Sequence, residues 1–135
     1  MTAQRLPARR IELKVKVFSP FEDGEPIWIG LDTPGMRRKA FRLVSPGIGS
    51  EEFMGGVTVF EPGESSSLHV HAESEEINIV LGGGGTLVSD GEERLFGEGE
   101  WMWIPKNTPH QHQNTGSEPL RLAWIYTPQA ELPSS

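Results

Sequence analysis

Residues 63–83 read GESSSLHVHAESEEINIVLGG, and residues 99–114 read GEWMWIPKNTPHQHQN. The four histidines of the chain, His69, His71, His110 and His112, all fall within these two stretches. His69 and His71 stand two apart in Leu68–His71, a segment that reads as a strand, so both rings leave the same face. Two imidazoles on one face are costly in a dry interior unless something binds them. A metal ion does so, taking one neutral nitrogen from each. Glu76 opens the next expected strand, Glu76–Leu81, and its carboxylate meets the same point if the two strands pair side by side. A buried carboxylate also needs a cationic partner, which a metal supplies. His110 follows a proline turn at the mouth of a later strand. Three imidazoles and one carboxylate make a suitable ligand set for a divalent ion.

The same stretches resemble the two sequence motifs of the cupin superfamily. The first motif is a glycine, five residues, His-x-His, three or four residues, a glutamate, six residues and a glycine. Gly63, His69, His71, Glu76 and Gly83 stand in those places. The second is a glycine, five residues, Pro-x-Gly, two residues, a histidine, three residues and an asparagine. Gly99, Pro105, His110 and Asn114 match it. Asn107 replaces the motif's inner glycine; asparagine is the next best residue at positive φ, so the turn is expected to survive. The interval of 15 residues between the motifs is that of small single-domain cupins.

The resemblance implies an all-β fold, the cupin double-stranded β-helix or jelly-roll barrel. It also implies one divalent metal ion held by His69, His71, Glu76 and His110. Glu73 and Glu75 lie close to Glu76, but the distances to His71 and Gly83 select Glu76, with Glu75 as the fallback. His112 shares the face of His110, at a position that often carries an interior apolar residue in the family. It is the candidate acid/base; a fifth ligand, a group that orients the ligands and a packed core histidine are the other readings.

The flanks fit a barrel. Ile11–Val17 alternates apolar and charged residues, the period of a half-buried strand, and suits an edge. Further strands are expected over 27–29, 38–44, 53–60, 86–89, 93–96, 101–104, 110–114 and 120–126. Asp90-Gly91 is a two-residue hairpin signal. Gly82–Gly85 lacks the Lys-Ser/Thr and the helix of a phosphate loop and reads as a hairpin turn. No amphipathic helix stands out. Short strands at regular spacing indicate a sandwich or barrel. Trp101 and Trp103 share one face and read as core or dimer-surface residues, and Asn114 as a turn-fixing hydrogen bonder. The expected organisation is a tail over 1–10, one barrel domain over 11–128 and a loose end over 129–135.

The 135 residues suffice for one core without disulfides. The 16 glycines and 11 prolines punctuate turns rather than helices. With no cysteine there is no thiolate ligand and no thiol nucleophile, and a reducing cytoplasm is the default compartment. No apolar run reaches the length of a membrane span, and the first ten residues lack a signal-peptide core. The formal net charge of −7 disfavours nucleic acid. Arg37-Arg38-Lys39, the basic run in the body of the chain, reads as a solvated face, with an anchor for an acidic substrate or partner as the alternative.

A divalent ion with three neutral imidazoles and one carboxylate carries a net positive charge and favours a small anionic ligand. The absence of sulfur donors leaves Fe, Mn, Ni, Zn, Co and Cu open. The resemblance therefore implies a small metalloenzyme of the dioxygenase, decarboxylase, isomerase or lyase type. A non-catalytic binding or sensing module and a metal that only stabilises the barrel are the alternatives. A homodimer is expected, with the Ile11–Val17 strand available for exchange between subunits.

Overall fold

Period-two burial runs through most of the chain in the computed structural model, which describes residues 13–133 and 135. The clearest case is the last strand, where Leu120, Leu122, Trp124 and Tyr126 point inward and are buried. A one-turn helix, α1 (Pro20–Asp23), precedes β1 (Glu25–Ile29), β2 (Arg38–Val44) and β3 (Met54–Phe60). The chain continues through β4 (Glu75–Gly82), β5 (Gly84–Ser89), β6 (Glu92–Gly97), β7 (Trp101–Ile104), β8 (Gln111–Gln113) and β9 (Leu120–Thr127). One sheet has the order β1-β2-β3-β9-β4-β7, and a smaller one the order β6-β5-β8. The named strand pairs are all antiparallel. These two sheets form the expected jelly-roll barrel.

Two groups of side chains fill it. Phe60, Val80, Phe96, Met102, Leu120 and Leu122 pack together at one end. Ile29, Ala40, Met54, Trp124 and Tyr126 pack at the other, joined by the half-buried Ala130 and Leu132. Asp90 and Gly91 both have positive φ, 53° and 73°, as the β5–β6 hairpin requires.

Several expectations are corrected. Gly82–Gly85 is not a hairpin turn but the corner at which the chain leaves one sheet for the other. There Gly83 has φ 77°, and a Cβ would lie 2.4 Å from the Pro119 carbonyl oxygen. Leu68–His71 is no regular strand; it is tied down by an isolated bridge between His69 and His110. Trp101 and Trp103 are not core, because on β7 it is Met102 and Ile104 that face inward. Leu13–Val17 is not in a strand, and Leu13, Val15 and Val17 are 79%, 97% and 93% exposed; Ile11 and Glu12 lie outside the described residues, as does the expected 1–10 tail. Residues 129–133 and 135 are not a loose end: Gln129 donates to the Ser50 carbonyl oxygen at 2.6 Å, and Ala130 and Leu132 pack on the core.

Candidate metal centre

The first and second motifs meet through main-chain pairing. His69 and His110 exchange both backbone hydrogen bonds, at 3.0 and 2.9 Å. The Asn107 N–H donates to the His71 carbonyl oxygen at 2.8 Å from a turn in which Asn107 has φ 56°. Asparagine thus fills the glycine's place at positive φ, as expected. Glu76 does not come from a neighbouring strand of this segment. It sits on β4, which pairs with β7 and β9, so its carboxylate meets the three imidazoles across the barrel.

His69, His71, Glu76 and His110 each offer one ligand atom, and these atoms all lie within 4.8 Å of one another. Glu76 Oε1 is 3.1 Å from His71 Nε2 and 3.2 Å from His110 Nε2. All three atoms are buried, yet none has an aligned hydrogen bond. Native interiors rarely leave such atoms without a partner. The tautomers agree with ligation. His69 Nδ1 lies 2.8 Å from the Ser67 carbonyl oxygen, and His110 Nδ1 lies 2.9 Å from that of Thr108. A carbonyl only accepts, so each Nδ1 carries a proton and, in the neutral ring, each Nε2 keeps its lone pair, the usual arrangement of a metal-binding histidine. The four residues can therefore hold a divalent ion.

Charge and burial reinforce one another here. Burial pushes Glu76 up, but the adjacent His110 and His71 imidazoles outweigh it and hold the carboxylate ionised, well below its usual range. Burial pushes His110 down, and the Glu76 carboxylate beside it lifts it above the ordinary imidazole value. His69 falls to about 4, chiefly by burial. Burial, with the Glu76 charge, raises Tyr126 well above the phenol range; its ring packs 4.3 Å from that of His71.

The neighbouring glutamates separate cleanly. Glu73 and Glu75 are exposed, and Glu75 Oε1 accepts from Trp103 Nε1 at 2.9 Å. His112 is buried beside the centre but stands outside the four-residue cluster. Its Nε2 lies 2.8 Å from Asn78 Oδ1, and Asn78 Nδ2 donates to Glu76 Oε2 at 2.7 Å. Because the Glu76 carboxylate only accepts, the amide orientation of Asn78 is fixed, and His112 Nε2 must be the protonated nitrogen. Burial lowers His112 to about 3, so the ring is neutral. Asn114 donates to the Phe60 and Glu118 carbonyl oxygens, both at 2.9 Å, and accepts from Gly116 N–H, the turn-fixing role expected of it.

Sequence reasoning missed Asn78 at the centre and gave Arg38 an inward role only as the alternative. Asn78 follows Glu76 by two on one strand, so period-two alternation places it on the same inner face. Arg38, expected with its neighbours on a solvated face and alternatively as an anchor for an acidic substrate or partner, is 3% exposed and lines the cavity that reaches His69 and Glu76. The signal available was Ala40, two residues on and fully buried on the same face of β2.

The family model for the cupin domain matches residues 56–126. The chain is similar to Protein SchB of Streptomyces halstedii, at 36% identity over 78 residues, which are 58% of this chain and 56% of that protein. It spans about half the length of the curated relatives it matches. Its fold is similar to that of a predicted oxalate decarboxylase from Thermotoga maritima, with TM-score 0.73 and 21% identity, covering 84% of this chain and all of that one. It is also similar to that of the polyketide cyclase RemF from Streptomyces resistomycificus, with TM-score 0.71 and 21% identity, covering 86% of this chain and 81% of that one. The barrel, the matched span and the two motifs converge on one conclusion: this chain belongs to the cupin family.

Proposed function

We propose that the protein is a metal-dependent enzyme acting on a small oxygenated or carboxylated metabolite, by chemistry of the dioxygenase, decarboxylase, isomerase or lyase type. The observation that carries this reading is the convergence of three imidazoles and one carboxylate, with buried donor atoms that lack aligned hydrogen bonds, at the wall of a cavity. His69, His71, Glu76 and His110 would hold one divalent ion. With no sulfur donor in the set, Fe, Mn, Ni, Zn, Co and Cu all remain eligible. Bound there, the ion supplies a Lewis acid for an anionic oxygen ligand.

The chain's own residues do the rest. Asn78 holds Glu76 by its second oxygen, and His112 holds Asn78. Trp124, Leu122 and Tyr126 line the cavity and make part of its wall apolar and aromatic. His112 is the candidate acid/base. Its ring faces the same cavity, and with Nε2 committed to Asn78, Nδ1 is the nitrogen free to take a proton. The neighbours' printed activities, a predicted oxalate decarboxylase and a sugar phosphate isomerase among them, are compatible with small oxygenated substrates.

The test is a panel of hydroxy-, keto- and enol-type carboxylic acids offered to protein loaded in turn with each metal, followed by product analysis and oxygen uptake. Turnover with one class, abolished by chelation and by Glu76→Gln, is the expected outcome. A stoichiometrically loaded protein that turns over nothing and consumes no oxygen would overturn the enzyme reading and leave a binding module.

A further inference from the structure

The outer face of the large sheet carries a second arrangement, apart from the four-residue cluster. Antiparallel register sets Trp28 of β1, Lys39 of β2, Val59 of β3 and Arg121 of β9 in one row across four strands. Alternation turns this row away from the barrel interior, because the adjacent Ile29, Ala40, Thr58 and Leu122 are buried on the inner face. Phe41, two residues after Lys39, shares the outer face, and α1 sets the Phe21 ring edge-on against it, with centroids 5.0 Å apart. These residues line an open cleft of about 550 Å³. Clefts of roughly 300–1,000 Å³ with aromatic walls and a few polar groups are the usual seats of small ligands.

The lining indicates which ligand. Lys39 Nζ lies 5.5 Å from the Trp28 ring centroid and 5.2 Å from that of Phe41. Arg121 Cζ lies 5.7 Å from the Phe21 centroid, and Arg37 Cζ 5.6 Å from that of Trp28. Such contacts hold a cation against a ring without neutralising it. Arg37 has a carboxylate partner, Glu64, at 3.6 Å. Among the described residues Lys39 and Arg121 form no ion pair. The cleft thus sets three cations, Arg37, Lys39 and Arg121, against two carboxylates, Glu61 and Glu64. A local excess of one positive charge, in a chain of net charge −7, suits a monoanion. A phosphate dianion or an acidic tract would be repelled by Glu61 and Glu64. Trp28 and Phe21 are 50% and 48% exposed, which leaves ring surface for a flat apolar body to cover.

We propose that this cleft binds a small aromatic carboxylate, with its ring against Trp28 and Phe21 and its carboxylate between Lys39 and Arg121. The site is separate from the metal centre. Val59 and Arg121 face the cleft from the outer side of β3 and β9, while Thr58 and Leu122 line the inner cavity from the other side. Binding there needs no metal, and it stands or falls independently of the proposed function.

The test titrates the metal-free full chain with 2-naphthoate by calorimetry and follows the Trp28 indole N–H by NMR. Three comparators separate the contributions: 2-naphthalenemethanol keeps the ring and loses the charge, cyclohexanecarboxylate keeps the charge and loses the flat ring, and 2-naphthyl phosphate is a dianion. The expected results are one naphthoate per chain, a shifted Trp28 signal, and binding at least fivefold weaker for each comparator. Lys39→Gln and Arg121→Gln should each weaken naphthoate several-fold, the double variant should lose measurable binding, and Trp28→Leu should weaken it at least fivefold. Lys39 and Arg121 lie outside the core, so their variants carry the comparison should Trp28→Leu not fold. No binding at millimolar naphthoate, affinity indifferent to both cations, equal binding of the alcohol or tighter binding of the phosphate would overturn the proposal. So would a native dimer that excludes naphthoate and that Trp28→Leu converts to monomer, since a second copy would then occupy the face.

Discussion

Asn78 is fully buried between His112 and Glu76, and each end of its amide has one role. Replacing it with alanine leaves a buried carboxylate oxygen and a buried imidazole N–H without partners. Groups that orient a metal ligand are typically worth 10- to 100-fold in metal affinity. The expected effects of Asn78→Ala are therefore a loss of roughly that size in a chelator competition and a fall of about 1–3 kcal/mol in unfolding free energy. Unchanged metal affinity would mean that Glu76 needs no help to face the imidazoles. At this scale the sequence was most informative where a residue type has few uses. Two imidazoles at spacing two, a nearby carboxylate and a third imidazole after a proline turn already described the cluster. Arg38 was opaque because three consecutive cations look alike until the strand's phase is known. Only the burial of Ala40 distinguishes the inward arginine from its neighbours.

Strands were legible wherever one face meets the opposite sheet. In β9 and β7 the alternation of side chains and the alternation of burial coincide. Pairing partners were not legible: the cluster forms across the barrel because β4 joins β9 and β7, a matter of long-range order that no local pattern encodes. Leu13–Val17 shows the converse limit. Period two says that one face seeks burial but not what covers it, and in the single chain Leu13, Val15 and Val17 are all exposed. Such an apolar edge invites a second strand. We propose that a second copy of the chain covers it. Sedimentation at micromolar concentration should then give a dimer for the native chain and a shift toward monomer for Val15→Asp. A monomeric native chain would contradict the proposal.

Across the whole molecule, two sheets bring a cluster able to hold a metal and a buried arginine to one cavity in a chain with net charge −7. With a divalent ion bound, an acidic chain with an inward cation would concentrate its positive potential inside, where a small anion is desolvated and the attraction is strongest. The segment after β9 escaped the sequence because nothing local distinguishes a docked stretch from a free one; its polar contacts to Ser50, Ser67 and Arg38 come from residues far away in the chain. The metal itself is the claim on which the remaining chemistry depends. Elemental analysis of protein purified without an affinity tag or chelator, beside a His110→Ala variant, tests it most directly. The account predicts about one transition-metal ion per chain in the native protein and its loss in the variant, as expected when one ligand of a compact set is removed. No metal in either protein, even after reconstitution, would contradict it.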